Sequence, residues 1–160
     1  MASFRETGVL SREELAGRLP PGERLRRGAC AVIECVEEIP CNPCEEACPF
    51  GAITIGEDIT APPTLDFERC RGCGTCLAVC PGLAIFLLDL SRGAAEVTLP
   101  HELLPVPEPG DEVELLSRAG EVLGRGRVVE TRRARTTWLI TVELPAEGLL
   151  GEVRAVRRSP

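Results

Sequence analysis

The stretch that decides the fold is Cys70-Arg71-Gly72-Cys73-Gly74-Thr75-Cys76-Leu77-Ala78-Val79-Cys80-Pro81. Three cysteines stand within seven residues, and a fourth follows and directly precedes a proline. This spacing lets one turn of backbone present three thiols to one side. Gly72 and Gly74 permit the tight curvature, and Pro81 keeps the chain from continuing as a regular helix. The stretch therefore predicts a loop that wraps around a bound group.

A second, similar stretch lies upstream and makes an internal repeat. Cys48-Pro49-Phe50-Gly51-Ala52-Ile53 corresponds to Cys80-Pro81-Gly82-Leu83-Ala84-Ile85, and both follow the pattern C-P-x-x-A-I. A strand-like segment precedes each cysteine run, at residues 31–33 and 64–67. Each half is therefore predicted as a strand, a cysteine-bearing turn with a helix, and a second strand. Two such halves related by a pseudo-twofold axis can share one small core.

The spacing of the second run, C-x2-C-x2-C-x3-C-P, is typical of ligands to [4Fe–4S] clusters. In this arrangement the fourth cysteine faces away from the other three and binds the neighbouring cluster. Structural zinc sites usually use two C-x2-C pairs instead, and disulfide frameworks are typical of secreted chains. The nine cysteines of this chain therefore predict two [4Fe–4S] clusters.

The first run departs from the pattern at one position. Glu38 stands where the spacing requires a cysteine, and the next cysteine upstream is Cys35. We interpret residues 36–38 as an insertion and Cys35 as the missing ligand. The alternative is that three cysteines hold a [3Fe–4S] cluster, or a cluster with a labile fourth iron. Cys30 is a more distant candidate for the fourth position.

These patterns give a cross-connected ligand map. The first cluster is expected to take Cys35, Cys41, Cys44 and Cys80. The second cluster is expected to take Cys70, Cys73, Cys76 and Cys48. Cys30 is left over and is predicted to be a small buried apolar residue. His101 is predicted to be a surface or hinge residue and, as the only histidine, it excludes a Rieske centre, which needs two.

The remaining sequence predicts an α+β protein in four segments. Residues 1–28 form an N-terminal helical arm, with a capping box at Ser11 and Glu14 opening a helix over residues 11–19. Residues 29–90 form the dicluster ferredoxin-like domain. The proline-rich residues 91–110 are predicted as a linker. Residues 111–160 alternate apolar and polar side chains between turn signals, which predicts a small all-β barrel, SH3-like or OB-like, as a docking module.

Composition and charge narrow the function classes. The 160-residue chain has a formal net charge of −7. Residues 95–160 hold 11 acidic residues and 9 arginines, a net charge of −2, so a nucleic-acid partner is not expected. No run approaches the roughly 20 apolar residues that span a bilayer, and the N-terminus lacks the apolar core of a signal peptide. We therefore expect a soluble, cytoplasmic protein without a membrane span.

Residues 30–88 resemble the 2[4Fe–4S] dicluster ferredoxins. A closer resemblance involves the run Ala31-Val32-Ile33-Glu34-Cys35-Val36-Glu37-Glu38-Ile39-Pro40-Cys41-Asn42-Pro43-Cys44, the segment Gly8-Val9-Leu10-Ser11 and the C-terminal tail. Together they resemble the small iron–sulfur protein that accompanies FAD-dependent amino-acid dehydrogenases of the proline, hydroxyproline and sarcosine type. This resemblance implies a subunit that takes electrons from a flavoprotein subunit, or another redox protein, and passes them on.

Two other functions remain open at this stage. The chain could be a free-standing soluble ferredoxin with an appended β domain. It could also be an iron–sulfur binding or regulatory module, a hypothesis motivated by Arg132, Arg133, Arg135, Arg154, Arg157 and Arg158. An enzyme is not expected, because full thiolate coordination leaves no iron open to substrate, and no nucleotide-binding or acyl-transfer motif occurs.

Overall fold

A computed structural model describes residues 3–158. These residues form a seven-stranded antiparallel sheet, a two-stranded sheet and four short α-helices. The helices are α1 (Phe4–Thr7), α2 (Gly22–Arg26), α3 (Pro43–Ala47) and α4 (Thr75–Val79). The strands are β1 (Cys30–Ile33), β2 (Ile53–Thr54), β3 (Thr64–Leu65), β4 (Ile85–Asp89), β5 (Ala95–His101), β6 (Glu112–Leu116), β7 (Val122–Ala134), β8 (Thr137–Leu144) and β9 (Ala155–Arg158). Within this range no helix has the length and apolarity needed to cross a membrane.

The strands of the cysteine-rich half pair reciprocally. β1, the first strand of the first copy, pairs with β4, the last strand of the second, with Ala31 opposite Leu87. β2 and β3 make the converse pair, with Ile53 opposite Leu65. Helices α3 and α4 are in contact between these two pairs. The reciprocal pairing supports the predicted pseudo-twofold dicluster fold, which stays a prediction.

Residues 91–110 are not a linker along their whole length. They include β5, which pairs with β4 on one side and with β8 on the other. Val97 and Leu99 on this strand are fully buried, and that burial outweighs the breaking tendency of the nearby prolines. Pro100 is tolerated because the pairing with β4 ends at Thr98, which leaves one side of the strand unpaired at the proline.

The C-terminal strands do not close into a separate barrel in the described residues. The strand order of the large sheet is β1-β4-β5-β8-β7-β6-β9, which places β1 and β9 at its two edges. One apolar core runs through both halves, from Leu77 on α4 to Val156 on β9. The 13-residue strand β7 carries a bulge between Val128 and Glu130, and bulges bend a strand. Short strands with turn signals suggested a barrel, but the sequence pattern does not reveal that they extend an existing sheet.

The N-terminal arm has the predicted cap but not the predicted helix. The Ser11 hydroxyl accepts the Glu14 N–H at 3.2 Å, and the Glu14 carboxylate accepts the Ser11 N–H at 2.8 Å. The following residues form successive turns instead of a regular helix, and α2 begins only after Pro21. Residues 1 and 2 of the predicted arm, and residues 159 and 160 of the predicted barrel, lie outside the described residues.

His101 is buried, contrary to the expectation of a surface residue. It lies at the end of β5 opposite Trp138, and only 8% of its surface is exposed. Burial lowers the pKa of the imidazole, and a hydrogen bond to the main chain of Leu103 offsets this only in part. The side chain therefore stays neutral in the folded protein at a pH where it would be protonated in the unfolded chain.

This burial predicts a loss of stability in mild acid. Below about pH 6.5, the ordinary pKa of histidine, the unfolded chain binds a proton that the folded chain does not. The free energy of unfolding is therefore not reduced by His101 above that pH. It falls as the pH drops towards the lowered pKa of the folded state. We expect the melting temperature to drop less between pH 7.5 and pH 5.5 in His101→Gln than in the wild type. Equal drops in the two proteins would contradict this role for His101.

Candidate iron–sulfur centre

Four cysteines from the two runs surround one cavity. Cys70 and Cys73 lie in the loop before α4, Cys76 lies on α4, and Cys48 caps the C-terminal end of α3. These four cysteines line one small pocket together with Gly72 and Gly74. Three members therefore come from the second run and one comes from the first.

The other four cysteines that the ligand map uses form a second group. Cys44 lies on α3 and Cys80 caps the C-terminal end of α4. Burial raises the pKa of Cys35, and the nearby thiols of Cys80 and Cys41 raise it further. Burial also raises the pKa of Cys44 to about 11, with Cys80 and Cys41 again contributing. The structure thus brings Cys35, Cys41, Cys44 and Cys80 close enough together for their charges to affect one another's pKa.

The electrostatics of the first cavity favour a bound cationic group. Burial raises the pKa of Cys76 to about 12, and the charges of Cys70, Cys73 and Cys48 act in the same direction. Four thiolates this close repel one another unless a metal centre neutralises them, and metal binding deprotonates a coordinating thiol. Within residues 3–158, no three or more His, Cys, Asp or Glu side chains are arranged to hold a single metal ion. A [4Fe–4S] cluster does not need its ligands to converge on a single point, because each of its four iron atoms binds a separate thiolate.

The repeated C-P-x-x-A motif has a structural reason. After Cys48 the chain turns back, so that the Ala52 N–H donates to the Cys48 sulfur at 3.3 Å. The equivalent Ala84 N–H lies 3.5 Å from the Cys80 sulfur. Backbone donors of this kind stabilise thiolates and tune a bound cluster. The residues of both groups therefore fit [4Fe–4S] clusters in donor type, spacing and hydrogen bonding.

Cys30 is the ninth cysteine and, as predicted, it is fully buried. It lies on β1 beside Cys70, and a hydrogen bond between the two side chains raises the pKa of Cys30 and lowers that of Cys70. The Ala31 N–H also donates to the Cys70 sulfur, at 3.4 Å. Cys30 therefore supports a candidate ligand and is not itself grouped with the others around the cavity.

An ion-pair network that the sequence pattern did not reveal lies beside Cys35. Glu34 is buried, and its carboxylate accepts from Arg118 Nε at 2.8 Å and from Arg154 Nε at 2.7 Å. The Arg154 guanidinium also stacks on the Phe86 ring, with 4.8 Å between its central carbon and the ring centroid. These arginines belong to the C-terminal part of the chain, so the network ties that part to the residue next to Cys35. The one sequence signal for this network is the charged residue Glu34 directly after the apolar strand β1.

Arg24 is a second residue that the sequence pattern did not reveal. It belongs to the predicted N-terminal arm, yet its side chain is buried and reaches the loop of the second cysteine run, where it donates to the carbonyl oxygen of Cys70 at 2.7 Å. Nothing in the local sequence distinguishes it from Arg26 and Arg27, which are exposed.

Comparisons with known proteins agree with this geometry. Residues 34–84 match the family model of the 4Fe-4S dicluster domain. The match covers about a third of the chain, so it describes this segment and not the whole protein. It confirms the predicted [4Fe–4S] clusters.

Three curated relatives share similarity with parts of the chain. A subunit of the ion-translocating oxidoreductase complex of Methanosarcina acetivorans is 45% identical over 49 residues, which cover 31% of this chain and 17% of that protein. The ferredoxin-type protein NapF of Haemophilus influenzae is 36% identical over 59 residues, 36% of this chain and 34% of its own. The isethionate sulfite-lyase activating enzyme of Desulfovibrio desulfuricans is 34% identical over 70 residues, 43% and 22% respectively. The chain thus spans about a third or less of each of these relatives, and no solved structure matches it significantly.

The close approach of Gly72 to β1 predicts a sensitive position. Gly72 has a φ of +65°, and a Cβ atom there would lie 2.5 Å from the carbonyl oxygen of Ala29. We expect Gly72→Ala to push the loop of the second run away from β1, at a cost of roughly 1–2 kcal/mol from the left-handed backbone alone. Iron content and melting temperature should both fall.

Gly82→Ala is the matched control for this substitution. Gly82 directly follows the same cysteine run, but its backbone φ is not positive and a Cβ atom there meets nothing within 4 Å. Iron content and melting temperature should stay at wild-type values in this variant. Equal losses in Gly72→Ala and Gly82→Ala would show that the contact with Ala29 is unimportant.

The Glu34 network predicts that a substitution at Glu34 affects the cysteine group around Cys35. Glu34→Gln leaves Arg154 buried without a full counter-charge, and breaking a buried pair costs about 3–5 kcal/mol. If Cys35 is a ligand, the displaced chain should release one iron, and EPR of the oxidised protein should show a [3Fe–4S] signal. The control is Glu147→Gln, which breaks the exposed pair with Arg26 and should leave the iron content intact. A full iron complement and an unchanged melting temperature in Glu34→Gln would refute this role.

Proposed function

We propose that this protein relays electrons, one at a time, through two [4Fe–4S] clusters. One cluster is held by Cys35, Cys41, Cys44 and Cys80, and the other by Cys48, Cys70, Cys73 and Cys76. The observation that carries the proposal is the division of eight thiols into two groups of four, each with three members from one run and one from the other. A [4Fe–4S] cluster bound by thiolates supplies a one-electron couple within a protein.

The two short helices hold the groups close together. Helix α3 carries Cys44 of one group and ends at Cys48 of the other, and α4 carries Cys76 and ends at Cys80. Four residues of helix advance the chain by only about 6 Å. Each helix therefore connects the two groups through a single turn, which suits rapid electron exchange between them.

The chain is proposed to act without a catalytic site of its own. Four thiols for each cluster leave no iron open to a substrate, although one relative is an activating enzyme. The Cys73 side chain is exposed, while Cys70 and Cys76 are buried. This arrangement gives the Cys73 corner of the second group access to a redox partner and keeps water from Cys70 and Cys76, while Cys48 is half-buried.

The C-terminal arginines support electron transfer over the alternative of a nucleic-acid-binding or regulatory module. Arg154 is buried with Glu34. Arg157 pairs with Glu114, and Arg158 lies 3.4 Å from Asp111. The charges of these three arginines are thus largely neutralised within the chain, so these three do not add to a basic surface of the kind that nucleic-acid binding requires.

We infer that the electron donor is a flavoprotein dehydrogenase. The resemblance over residues 31–44 supports this partner, and two relatives are named as subunits of redox complexes. The test mixes an FAD-dependent amino-acid dehydrogenase, reduced by its substrate and purified from the same cells, with the holo-protein under anaerobic conditions. Flavin reoxidation with matching bleaching of the clusters is expected. A monomeric protein that leaves the flavin reduced would favour a free-standing ferredoxin with other partners.

The ligand assignment predicts which cysteines are indispensable. Anaerobic iron and sulfide analysis of the wild type should give about eight irons per chain, as two cubane clusters require. Cys41→Ser and Cys73→Ser should each lose one cluster and retain about four irons. About seven irons in the wild type, with an oxidised [3Fe–4S] signal, would mean that Cys35 does not bind.

Cys30→Ala is the matched control because Cys30 is equally conspicuous in sequence but lies outside both groups. It should keep both clusters. Loss of a whole cluster from this variant, or full iron retention in Cys41→Ser and Cys73→Ser, would overturn the assignment.

A further inference from the structure

Arg24 is buried against the loop that carries Cys70. Only 7% of its surface is exposed. Its guanidinium donates four hydrogen bonds to main-chain carbonyl oxygens, those of Phe67 at 2.7 Å, Cys70 at 2.7 Å, Gly28 at 2.8 Å and Ala29 at 3.3 Å. The side chain thus joins the N-terminal arm, the start of β1 and the second cysteine run at one point.

The charge on Arg24 is not neutralised by a carboxylate within residues 3–158, where it takes part in no ion pair. Carbonyl dipoles solvate the guanidinium but leave its full positive charge in place. A charge in a poorly solvated interior acts more strongly on its neighbours than one at the surface. Arg24 acts electrostatically on the thiols of Cys70 and Cys30. The hydrogen bond from Cys30 and the backbone donors Ala31 and Gly72 lower the pKa of Cys70 more than Arg24 does.

The group around Cys35 has a different electrostatic environment. Its nearby arginine, Arg18, donates to the carbonyl oxygens of Cys35 and Pro63 at 3.3 Å, but it is only half-buried. Glu37 and Glu38, which follow Cys35 closely in the sequence, are exposed. Water weakens the influence of the half-buried Arg18 more than that of the buried Arg24. The carboxylate on which Arg24 acts, Glu68, is exposed and pairs with Arg27.

Resting on the proposed function, we propose that Arg24 raises the reduction potential of the cluster held by Cys48, Cys70, Cys73 and Cys76 above that of the other cluster. The physical reason is that reduction adds a negative charge next to a buried positive charge. The hydrogen-bond donors of Cys30 and Ala31 to Cys70 act in the same direction. An electron that enters the protein therefore rests on this cluster.

Arg24→Gln tests the charge directly. It removes the positive charge and keeps an amide donor. The holo-protein is titrated potentiometrically under anaerobic conditions and followed by EPR, after iron analysis of the same sample. We expect the reduction equilibrium of one cluster to fall at least tenfold, which is about 59 mV for one electron, while the other cluster changes less than threefold.

Two further variants separate charge from structure. Arg24→Lys keeps the charge and loses most of the hydrogen bonds, so the reduction equilibrium of the cluster held by Cys48, Cys70, Cys73 and Cys76 should stay within threefold of the wild type. Arg27→Gln removes an exposed arginine three residues away whose charge is already paired with Glu68, and it should leave both potentials unchanged. An equal fall in Arg24→Lys and Arg24→Gln, or no fall in either, would overturn the proposal.

A measurement on the wild type keeps the proposal testable if the Arg24 variants do not fold. The β-carbons of cysteine are labelled with ¹³C, and the hyperfine-shifted signals of Cys70 and Cys80 are assigned through their contacts with Ala31 and Ala84. During stepwise reduction the Cys70 signal should change first. If the Cys80 signal changes first, the proposed order of the two potentials is wrong, but the proposed electron transfer through two clusters is unaffected. Iron analysis that finds fewer than two clusters would instead refute the proposed function.

Discussion

The crowding of eight thiols into two groups is the constraint on which the structure depends. Burial raises the pKa of Cys76 and Cys44, and the neighbouring thiolates raise it further, so each group needs a bound cation and a rigid backbone. In the proposed ligand map, the chain meets both needs by exchanging Cys48 and Cys80 between its two cysteine runs. Such an exchange would account for the contact between α3 and α4 and for the reciprocal pairing of the strands of the two halves.

The surrounding residues explain how such a small unit keeps its shape. Aromatic residues make up only 3% of the chain, and a short chain buries little apolar surface. The large sheet compensates by continuing beyond β4, so that the cysteine-rich half shares its core with the C-terminal strands. Arg24 and Glu34 add polar connections at the two ends of β1.

The sequence predicted the local chemistry better than the long-range organisation. Cysteine spacing is set by the bound group itself, so the spacing C-x2-C-x2-C-x3-C was sufficient to predict the clusters that the family match confirms. The strands next to the cysteines were also predicted, because β1 and β4 are short apolar runs. The role of residues 95–101 was not, since prolines obscure a strand whose stability comes from partners distant in sequence. Arg24 and Glu34 were missed because their importance arises from burial, which a local pattern does not contain.

The irregular spacing around Cys35 and the C-terminal extension are connected. A regular run would place its first cysteine at the position of Glu38, inside the loop that wraps the cluster. Here Cys35 stands instead two residues after the end of β1, and residues 36–38 bridge the gap. A cysteine at that place needs an anchor outside its own loop, and Glu34 provides one through Arg118 and Arg154. The C-terminal strands therefore contribute to the first cysteine group itself, which argues against their being an independent appendage to a ferredoxin.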